Sequence, residues 1–192
     1  MTSLLTLLIT GIAQLFFNNQ ANGSLVTQNG KVVGSAMIGQ SCPTESKAKD
    51  GSLQVRIGHP DLFQGRLSWT VDSSGNLLPC NAANSAGSNL GPSNPLLLET
   101  TQNAVKAYRD QGVTGDIPID LVTSDFTGFD PDITEAAALV QVPMVARARG
   151  IDQSTLTSLV ESQVQGRILW VFGETHVNVL QLNMALQQQS RH

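Results

Sequence analysis

The first thirty residues of this chain contain no charged side chain, and the first charged residue is Lys31. Within this stretch, residues 4–17 are nearly all apolar. As a helix the run would span only about 21 Å, whereas the hydrocarbon core of a bilayer is about 30 Å thick. A secretory signal peptide has an apolar core of this length, but it also carries a basic flank and small residues at a cleavage site. The flanks here, residues 1–3 and 18–22, fit neither feature well.

The apolar run has one polar face, which carries no charge. Its members have small or hydrogen-bonding side chains and lie within an arc of about 80° at 3.6 residues per turn. They are Ser3, Thr6, Thr10 and Gln14. Such a face suits packing against other helices inside a bilayer, whereas the polar face of a soluble amphipathic helix normally carries charges. We therefore expect residues 1–19 to be a membrane-anchoring helix whose first turns are missing, with a soluble amphipathic helix as the alternative.

Composition limits the partners that the chain can have. Its 192 residues suffice for one well-cored domain. Charged residues make up 14%, against about 25% in an average soluble domain. The formal net charge is −4, the basic residues are scattered, and aromatic residues make up only 5%. Nucleic-acid binding relies on clustered basic side chains and is therefore not expected.

The two cysteines, Cys42 and Cys80, fit no zinc-binding spacing, and the three histidines lie far apart in the sequence. No metal site is therefore expected. Two roles are open to the cysteines: unpaired small hydrophobic side chains, or a disulfide if the domain lies in an oxidising compartment.

Residues 20–192 alternate loosely between helix and strand signals, which predicts an α+β fold. Residues 41–87 are polar and rich in turn-forming residues, and they predict an irregular excursion with one mild strand at 53–57. Further strands are predicted at 32–38, 117–123 and 167–172, and helices at 95–111, 134–149, 152–164 and 178–189, with Pro143 kinking or breaking the second helix. The predicted fold class is a shortened N-terminal transmembrane helix followed by one mixed α/β globular domain.

The stretch SAGSNLGPSNPLLLE, at residues 85–99, raises the question of a phosphate site. Backbone N–H groups of a glycine-rich loop can hold a phosphate, but nucleotide-binding loops nearly always add a Lys or Arg. No cationic side chain occurs between Arg66 and Lys106. Asn94 is instead a preferred N-cap, and Pro95 fits the first helical position. The stretch is therefore interpreted as the start of a helix, and Ser88 and Asn89 are kept as the candidates for a nucleotide contact.

No catalytic motif is evident in the sequence. The chain has neither a G-x-S-x-G nucleophile motif nor an H-E-x-x-H zinc motif. Asp130 and Asp132 flank Pro131 and are typical of turn and cap residues. Composition and spacing alone thus indicate an anchored α+β domain without a visible active site.

Seven peptides, taken in order along the chain, resemble one known family. They are QANGS (20–24), GSAMIGQ (34–40), GSNLGPSNPLL (87–97), IPIDLVT (117–123), TGFDPDIT (127–134), AAALVQVPMVARARG (136–150) and VNVLQLNMAL (177–186). This ordered set is similar to the C subunit of the Kdp-type potassium-transporting P-type ATPase. The resemblance covers most of the chain, from about residue 8 to residue 186.

The resemblance implies a subunit of the bacterial plasma (inner) membrane, with one transmembrane helix and a soluble domain on the outer face. Its implied partners are a channel-like A subunit, a P-type pump B subunit and a small F subunit. The complex hydrolyses ATP to import potassium at high affinity. In the family the C chain is described as an assembly factor and catalytic chaperone that raises the pump's apparent affinity for ATP. ATP would then be bound by the pump subunit, with no cofactor expected on this chain.

Two absences agree with an accessory role: the sequence has no D-K-T-G phosphorylation motif of a pump and no carbonyl-filter peptide of a potassium pore. Three departures from the family pattern remain. The family's anchoring helix begins further upstream, and its segment GYFxGRPSAT is DLFQGRLSWT here, at residues 61–70, with extra residues before it. The family peptide SGGSN, compared with an ATP-contacting signature, is SAGSN at residues 85–89, and the lost glycine weakens a nucleotide role for this loop. The alternative function is an anchored or secreted extracytoplasmic domain that binds a small ligand by itself.

Overall fold

The structure is a computed structural model, which describes residues 2–47, 53–167 and 169–189. The chain divides into two compact units, Met1–Met37 and Ile38–His192. The sequence predicts a boundary between residues 19 and 20, which separates a membrane-anchoring helix from an extracytoplasmic domain. That division stays a prediction.

The first unit consists of two helices and a hairpin. Helix α1 (Thr2–Phe16) is followed by the short helix α2 (Asn18–Ala21), and strands β1 (Leu25–Gln28) and β2 (Lys31–Ser35) pair antiparallel. The two residues between the strands, Asn29 and Gly30, have φ values of 52° and 75°. A two-residue hairpin loop of type I′ requires positive φ at both positions, which asparagine and glycine accept most readily. The strand predicted after this turn is confirmed and ends at residue 35.

Helix α1 exposes its apolar side chains. The large ones exposed along it are Leu4, Leu5, Leu7, Leu8, Ile9, Ile12, Leu15 and Phe16. Among the residues that the structure describes, no helix combines the length and the apolar character needed to cross a bilayer.

The second unit is a mixed α/β fold built mainly from helices. Its strands form two antiparallel pairs, β3 (Thr44–Lys47) with β4 (Leu53–Arg56) and β5 (Asp132–Ile133) with β6 (Val177–Asn178). Its helices are α3 (Pro95–Asp110), α4 (Glu135–Arg149), α5 (Gln153–Gln163) and α6 (Val179–Gln189), with a 3-10 turn at Ile119–Leu121. The four helices and the mild strand at 53–57 were all predicted and are confirmed, with bounds shifted by a few residues.

The core of the second unit is one cluster of buried side chains to which all four helices contribute. Each helix contributes fully buried apolar side chains, among them Ala104, Tyr108, Ala138, Val145, Leu156, Val160, Leu182 and Leu186. Burying one such leucine contributes about 1.5–3 kcal/mol relative to an exposed one. Phe63 and Leu67 join the same core from a segment without regular secondary structure.

Side-chain amides hold this irregular segment in the core. The Phe63 N–H donates to Asn183 Oδ1, and Asn183 Nδ2 donates back to the Phe63 carbonyl oxygen, each over 2.9 Å. The Gln64 N–H donates to Gln141 Oε1 over 2.7 Å, and Gln141 Nε2 donates to the Gln64 carbonyl oxygen over 3.1 Å. All four residues are buried. Two side chains, one from α6 and one from α4, thus supply the pairing that a neighbouring strand would give.

Two predicted strands are wrong. Residues 117–123 contain a 3-10 turn, because Pro118 has no N–H to give to a ladder and Asp120 turns inward, where its Oδ2 accepts the Thr134 N–H over 2.8 Å. In the segment 167–172, Leu169 and Trp170 have φ values of 52° and 60°, which form a turn and not a strand.

Of the kink or break predicted at Pro143, the break is wrong, since α4 continues through this residue, and the kink stays a prediction. A proline inside a helix removes one backbone hydrogen bond and crowds the preceding turn. Burial on both sides of Pro143, at Val142, Met144 and Val145, holds the helix together against this cost.

Candidate functional site

The glycine-rich loop packs against the loop formed by residues 123–127. The Ala86 N–H and the Ser85 hydroxyl both donate to the Thr127 carbonyl oxygen, over 3.1 and 3.0 Å. Gly87 lies so close to this loop that a Cβ atom there would stand 3.1 Å from the Phe126 carbonyl oxygen. The glycine therefore serves close packing of two protein loops, which does not require a ligand.

Ser88 and Asn89 line a shallow pocket between the two loops. Its volume is about 160 Å³, and the other lining residues are Leu90, Leu97, Thr123, Ser124, Asp125 and Phe126. Ligand pockets for drug-sized molecules typically measure about 300–1,000 Å³. The lining contains no Lys, Arg or His, and its single ionisable group is the Asp125 carboxyl. The pocket thus offers little room and no positive charge to a triphosphate.

The polar groups of this pocket bond largely to the protein itself. Asp125 Oδ1 accepts the Gly128 N–H over 3.0 Å, and Oδ2 accepts the Thr127 N–H over 3.1 Å. Asn89, which has a φ of 52°, donates from Nδ2 to the Gly87 carbonyl oxygen over 3.1 Å. Ser88 Oγ lies 3.4 Å from Ser124 Oγ. These bonds fix the shape of the two loops.

Asn94 caps helix α3, as predicted. Its Oδ1 accepts the Leu96 N–H over 3.0 Å, its backbone is extended, and Pro95 is the first helical residue. The end of the glycine-rich stretch is therefore a helix start in the structure.

Cys42 and Cys80 are joined in a disulfide, with their Cα atoms 5.9 Å apart and a sequence separation of 38. Two buried hydroxyls hold the chain beside Cys80. Ser68 Oγ accepts the Cys80 N–H over 2.9 Å and donates to the Gly128 carbonyl oxygen over 2.5 Å. Thr70 Oγ1 accepts the Asn81 N–H over 2.9 Å. The predicted disulfide partners are thus brought together at the edge of the loop region that contains the pocket.

Arg66 and Asp130 form a half-buried pair that the sequence did not suggest, because they lie far apart along the chain. Arg66 Nε is 3.9 Å from Asp130 Oδ2, and Asp130 Oδ1 accepts the Asp132 N–H over 3.1 Å. Partial burial raises the pKa of Asp130, and this effect outweighs the Asp132 N–H and the Arg66 guanidinium, which lower it. The predicted turn role of Asp130 holds, since its carboxyl closes the turn around Pro131.

Tyr108 and Asp120 are buried ionisable residues without catalytic partners. Burial raises the pKa of the Tyr108 hydroxyl, and the charge of Asp120 raises it further, so this phenol stays neutral. Asp120 positions the Thr134 N–H, and Thr134 Oγ1 in turn caps α4 by accepting the Ala137 N–H over 3.1 Å. Within the described ranges, no group of three His, Cys, Asp or Glu side chains could hold a metal ion.

The polar face of α1 is described only in part. Thr6, Thr10 and Gln14 are exposed, whereas the side chain of Ser3 lies outside the described residues. Gln14 bonds locally: its Oε1 accepts from Asn18 Nδ2 over 3.0 Å and from Asn22 Nδ2 over 3.1 Å. Packing of this face against partner helices stays a prediction.

The apolar run before Gly173 was predicted to form a strand, and this prediction is wrong. Four of its side chains are exposed at the tip of a loop: Leu169, Trp170, Val171 and Phe172. An apolar run of this length cannot be told from a buried strand by its pattern alone. The exposure of these four side chains could therefore not be predicted from the sequence pattern.

Comparison with known proteins gives a consistent result. The family model described as KdpC: K+-transporting ATPase, c chain, matches residues 1–188. The potassium-transporting ATPase KdpC subunit of Burkholderia orbicola (strain MC0-3) is 45% identical over 180 residues, which cover 93% of this chain and 83% of that protein. The KdpC subunits of Paraburkholderia xenovorans and Rhodopseudomonas palustris are 41% and 43% identical over 185 and 186 residues, covering 95% and 94% of this chain and 86% of each relative.

Proposed function

Since this chain belongs to the KdpC family, the c chains of K+-transporting ATPases, we propose that it is a non-catalytic subunit of a high-affinity, ATP-driven potassium-import complex. In this role it assists assembly of the complex and raises the apparent ATP affinity of the pump subunit, as a catalytic chaperone. The observation that carries the proposal is the match of one family over nearly the whole chain.

The loop geometry supports a non-catalytic role. The pocket beside Ser88 and Asn89 is small, lacks a cation, and has its carboxyl engaged by backbone N–H groups. A triphosphate bound there would face a carboxylate without a compensating charge. We therefore assign ATP to the pump subunit and none to this chain.

The partners in this proposal are the A, B and F subunits of the same complex. Helix α1 supports membrane attachment because its apolar side chains are exposed along its length, which is unfavourable in water and favourable in lipid. We place this helix in the inner membrane as part of a single-pass anchor, and residues 20–192 on the outer face. Thr6, Thr10 and Gln14 then face a neighbouring helix of the complex.

An outer-face domain cannot touch a cytoplasmic nucleotide, so its effect on ATP affinity must be transmitted. Contacts of the subunit shift the conformational equilibrium of the pump, and a tenfold gain in affinity requires only about 1.4 kcal/mol of coupling. No step of ATP hydrolysis takes place on this chain in that mechanism.

The second candidate function is an extracytoplasmic domain that binds a small ligand alone. A cavity of about 380 Å³ between β4 and α3 favours it, with Gln54, Val55 and Asn103 among the lining residues. The volume falls within the range of about 300–1,000 Å³ that is usual for ligand pockets.

Copurification distinguishes the two functions. The tagged full-length chain is expressed with the A, B and F subunits, solubilised in mild detergent and purified by its tag. We expect all three subunits in the eluate, and a higher KM for ATP in complexes prepared without this chain. Recovery of the tagged chain alone, with the other subunits present in the same membranes, would overturn the proposed function.

A further inference from the structure

The sequence contains two Asn-Gly dipeptides, Asn22–Gly23 and Asn29–Gly30, and both lie in the first unit. An asparagine before a glycine can lose its side-chain amide nitrogen without an enzyme. The reason is that glycine has no Cβ to hinder its backbone nitrogen from attacking the preceding side chain. Asparagine is accordingly one of the thermolabile residue types of proteins. All four residues are exposed, so water reaches both sites and the hydrogen bonds around each site decide its reactivity.

The first of these asparagines is held on every side. Asn22 Nδ2 donates to the Asn18 carbonyl oxygen over 2.7 Å and to Gln14 Oε1 over 3.1 Å. Gln14 Nε2 donates in return to Asn22 Oδ1 over 3.3 Å. The Gly23 N–H, which would supply the attacking nitrogen, donates to the Gln20 carbonyl oxygen over 3.1 Å. Both reacting groups of this dipeptide are therefore occupied, and attack requires their hydrogen bonds to break first.

The second asparagine has no such restraint. Asn29 and Gly30 form the turn of the β1–β2 hairpin, with φ values of 52° and 75°. Among the described residues, neither the Asn29 side chain nor the Gly30 N–H makes a hydrogen bond. The carboxamide and the backbone nitrogen that must meet are thus both available for reaction.

The hairpin that carries this turn is itself weakly held. Strands β1 and β2 form a two-stranded sheet, and their register shifts between Val26 and Thr27. Leu25 and Val32, one on each strand, are 52% and 59% exposed. A two-stranded hairpin is only marginally stable in water, because few side chains are buried between its strands. Opening of the hairpin therefore gives the Asn29 backbone the freedom that ring closure onto its side chain requires.

We propose that Asn29 is a site of spontaneous deamidation, which converts it to aspartate and isoaspartate, and that hydrogen bonds protect Asn22 from the same reaction. The Gly30 backbone nitrogen loses its proton and bonds to Asn29 Cγ. The bond from Cγ to Nδ2 breaks, and this nitrogen leaves as ammonia with the proton. Water then opens the resulting succinimide ring at either of its two carbonyl carbons. Water is the only co-reactant, and the reaction needs neither an enzyme nor a partner subunit.

The two products change the hairpin differently. Aspartate before glycine suits the same type I′ turn, so the aspartyl form keeps the pairing of Gln28 with Lys31. Isoaspartate routes the main chain through the former side chain and adds one carbon atom between the strands, so the two-residue turn is lost. Both products also place a carboxylate in the first thirty residues, which contain no charged side chain.

Peptide mass spectrometry of the aged protein tests the site. The purified full-length chain is incubated in mildly alkaline buffer made with heavy-oxygen water, which labels each hydrolysed succinimide. We expect product at position 29 to form about tenfold faster than at position 22, a ratio that corresponds to about 1.4 kcal/mol. In denaturant the two sites should react at similar rates, because both then precede an unhindered glycine. Gln14→Ala should accelerate the reaction at Asn22 and leave that at Asn29 unchanged. Equal rates in the folded chain, or the same tenfold ratio in denaturant, would overturn the proposal.

Hydrogen exchange tests the consequence for the hairpin. The isoaspartyl form is separated from the aged chain by ion exchange and compared with the wild type and with Asn29→Asp, which adds the charge without lengthening the main chain. We expect amide exchange in β1 and β2 to accelerate in the isoaspartyl form alone, with exchange in α4 unchanged in all three proteins. An isoaspartyl form whose hairpin exchanges at the wild-type rate would overturn the predicted loss of the turn.

Discussion

The side-chain amide of Asn183 pairs with both backbone groups of Phe63, although 120 residues separate them in the sequence. Both hydrogen bonds are buried, so water cannot replace them when the amide is lost. An irregular stretch of chain thereby reaches the centre of the core without leaving its backbone unpaired.

Replacing Asn183 by leucine should destabilise the protein strongly. The change keeps the approximate size of the side chain but leaves the Phe63 N–H and carbonyl oxygen buried without partners, at a cost of roughly 1–3 kcal/mol for each group. Denaturant unfolding of wild type and variant measures the difference. Gln187→Leu, at an exposed position of the same helix, serves as the control and should shift stability by less than about 0.5 kcal/mol. Equal stability losses in the two variants would contradict the pairing.

Removing the cap of α3 should cost less. Asn94→Ala abolishes the hydrogen bond to the Leu96 N–H and should lower the free energy of unfolding by about 1 kcal/mol. Asn94→Asp, which retains an acceptor at the same place, should stay close to wild type. An Asn94→Ala chain that keeps its full stability but no longer supports pump activity would show that this loop is a contact surface and not a structural cap.

The Cys42–Cys80 bond should leave no free thiol in the unreduced, denatured protein when it is isolated from an oxidising compartment. Thiol titration with and without reductant measures this directly. Closing a loop of this length should stabilise the fold by roughly 2–4 kcal/mol, so the Cys42→Ser, Cys80→Ser double variant should unfold at lower denaturant concentration. Two titratable thiols before reduction would refute the bond in the natural protein.

Stability should depend on pH through Asp130. Burial raises the folded-state pKa of this carboxyl above its ordinary value of 3.8. The raised pKa favours folding while the group is protonated, below pH 3.8, and this contribution is lost as the pH rises through the folded-state pKa. Asp130→Asn keeps an oxygen for the Asp132 N–H and removes the buried charge. The variant should therefore be more stable than wild type at pH 7, with the difference vanishing in acid.

Melting temperatures of both proteins between pH 3 and pH 7 check this. Asp116→Asn, at an exposed position, is the control for removing a carboxyl group as such. A variant less stable than wild type at pH 7 would mean that the interaction with Arg66 dominates over burial.

The chain should not bind ATP by itself. Calorimetric titration of the purified full-length chain with Mg-ATP should give no saturable heat at micromolar nucleotide, because the pocket at Ser88 and Asn89 is small and lacks a cation. A saturable heat that disappears in the Ser88→Ala, Asn89→Ala double variant would establish direct nucleotide contact at this loop.

Local signals in the sequence predicted much of this fold. The caps at Asn94 and Asp152 act within two residues through their own side chains, so the helices that they begin were readable from short stretches. The turn at Asn29 and Gly30 is equally local. Predictions based on such neighbours were confirmed.

The features that could not be predicted from the sequence depend on contacts between residues that lie far apart along the chain. The sequence around Phe63 does not indicate that the Asn183 amide, in the last helix, pairs with it. Likewise, the sequence around Asp120 does not indicate that its carboxylate accepts the Thr134 N–H. The strand predicted at 167–172 failed for another reason: its composition fits a strand, whereas Leu169 and Trp170 adopt left-handed backbone angles and form a turn. The nucleotide contact considered at Ser88 and Asn89 stays a prediction, and the packing of their loop against residues 123–127 was not foreseen.

The adjacent pairings of Phe63 and Gln64 have a mechanical consequence. One residue is fastened to α6 and the next to α4, so a single peptide unit ties the two helices together. Sliding either helix by one residue, about 1.5 Å along its axis, would stretch two buried hydrogen bonds beyond useful length at once. Sliding of α4 relative to α6 is therefore opposed by both pairs of hydrogen bonds at once.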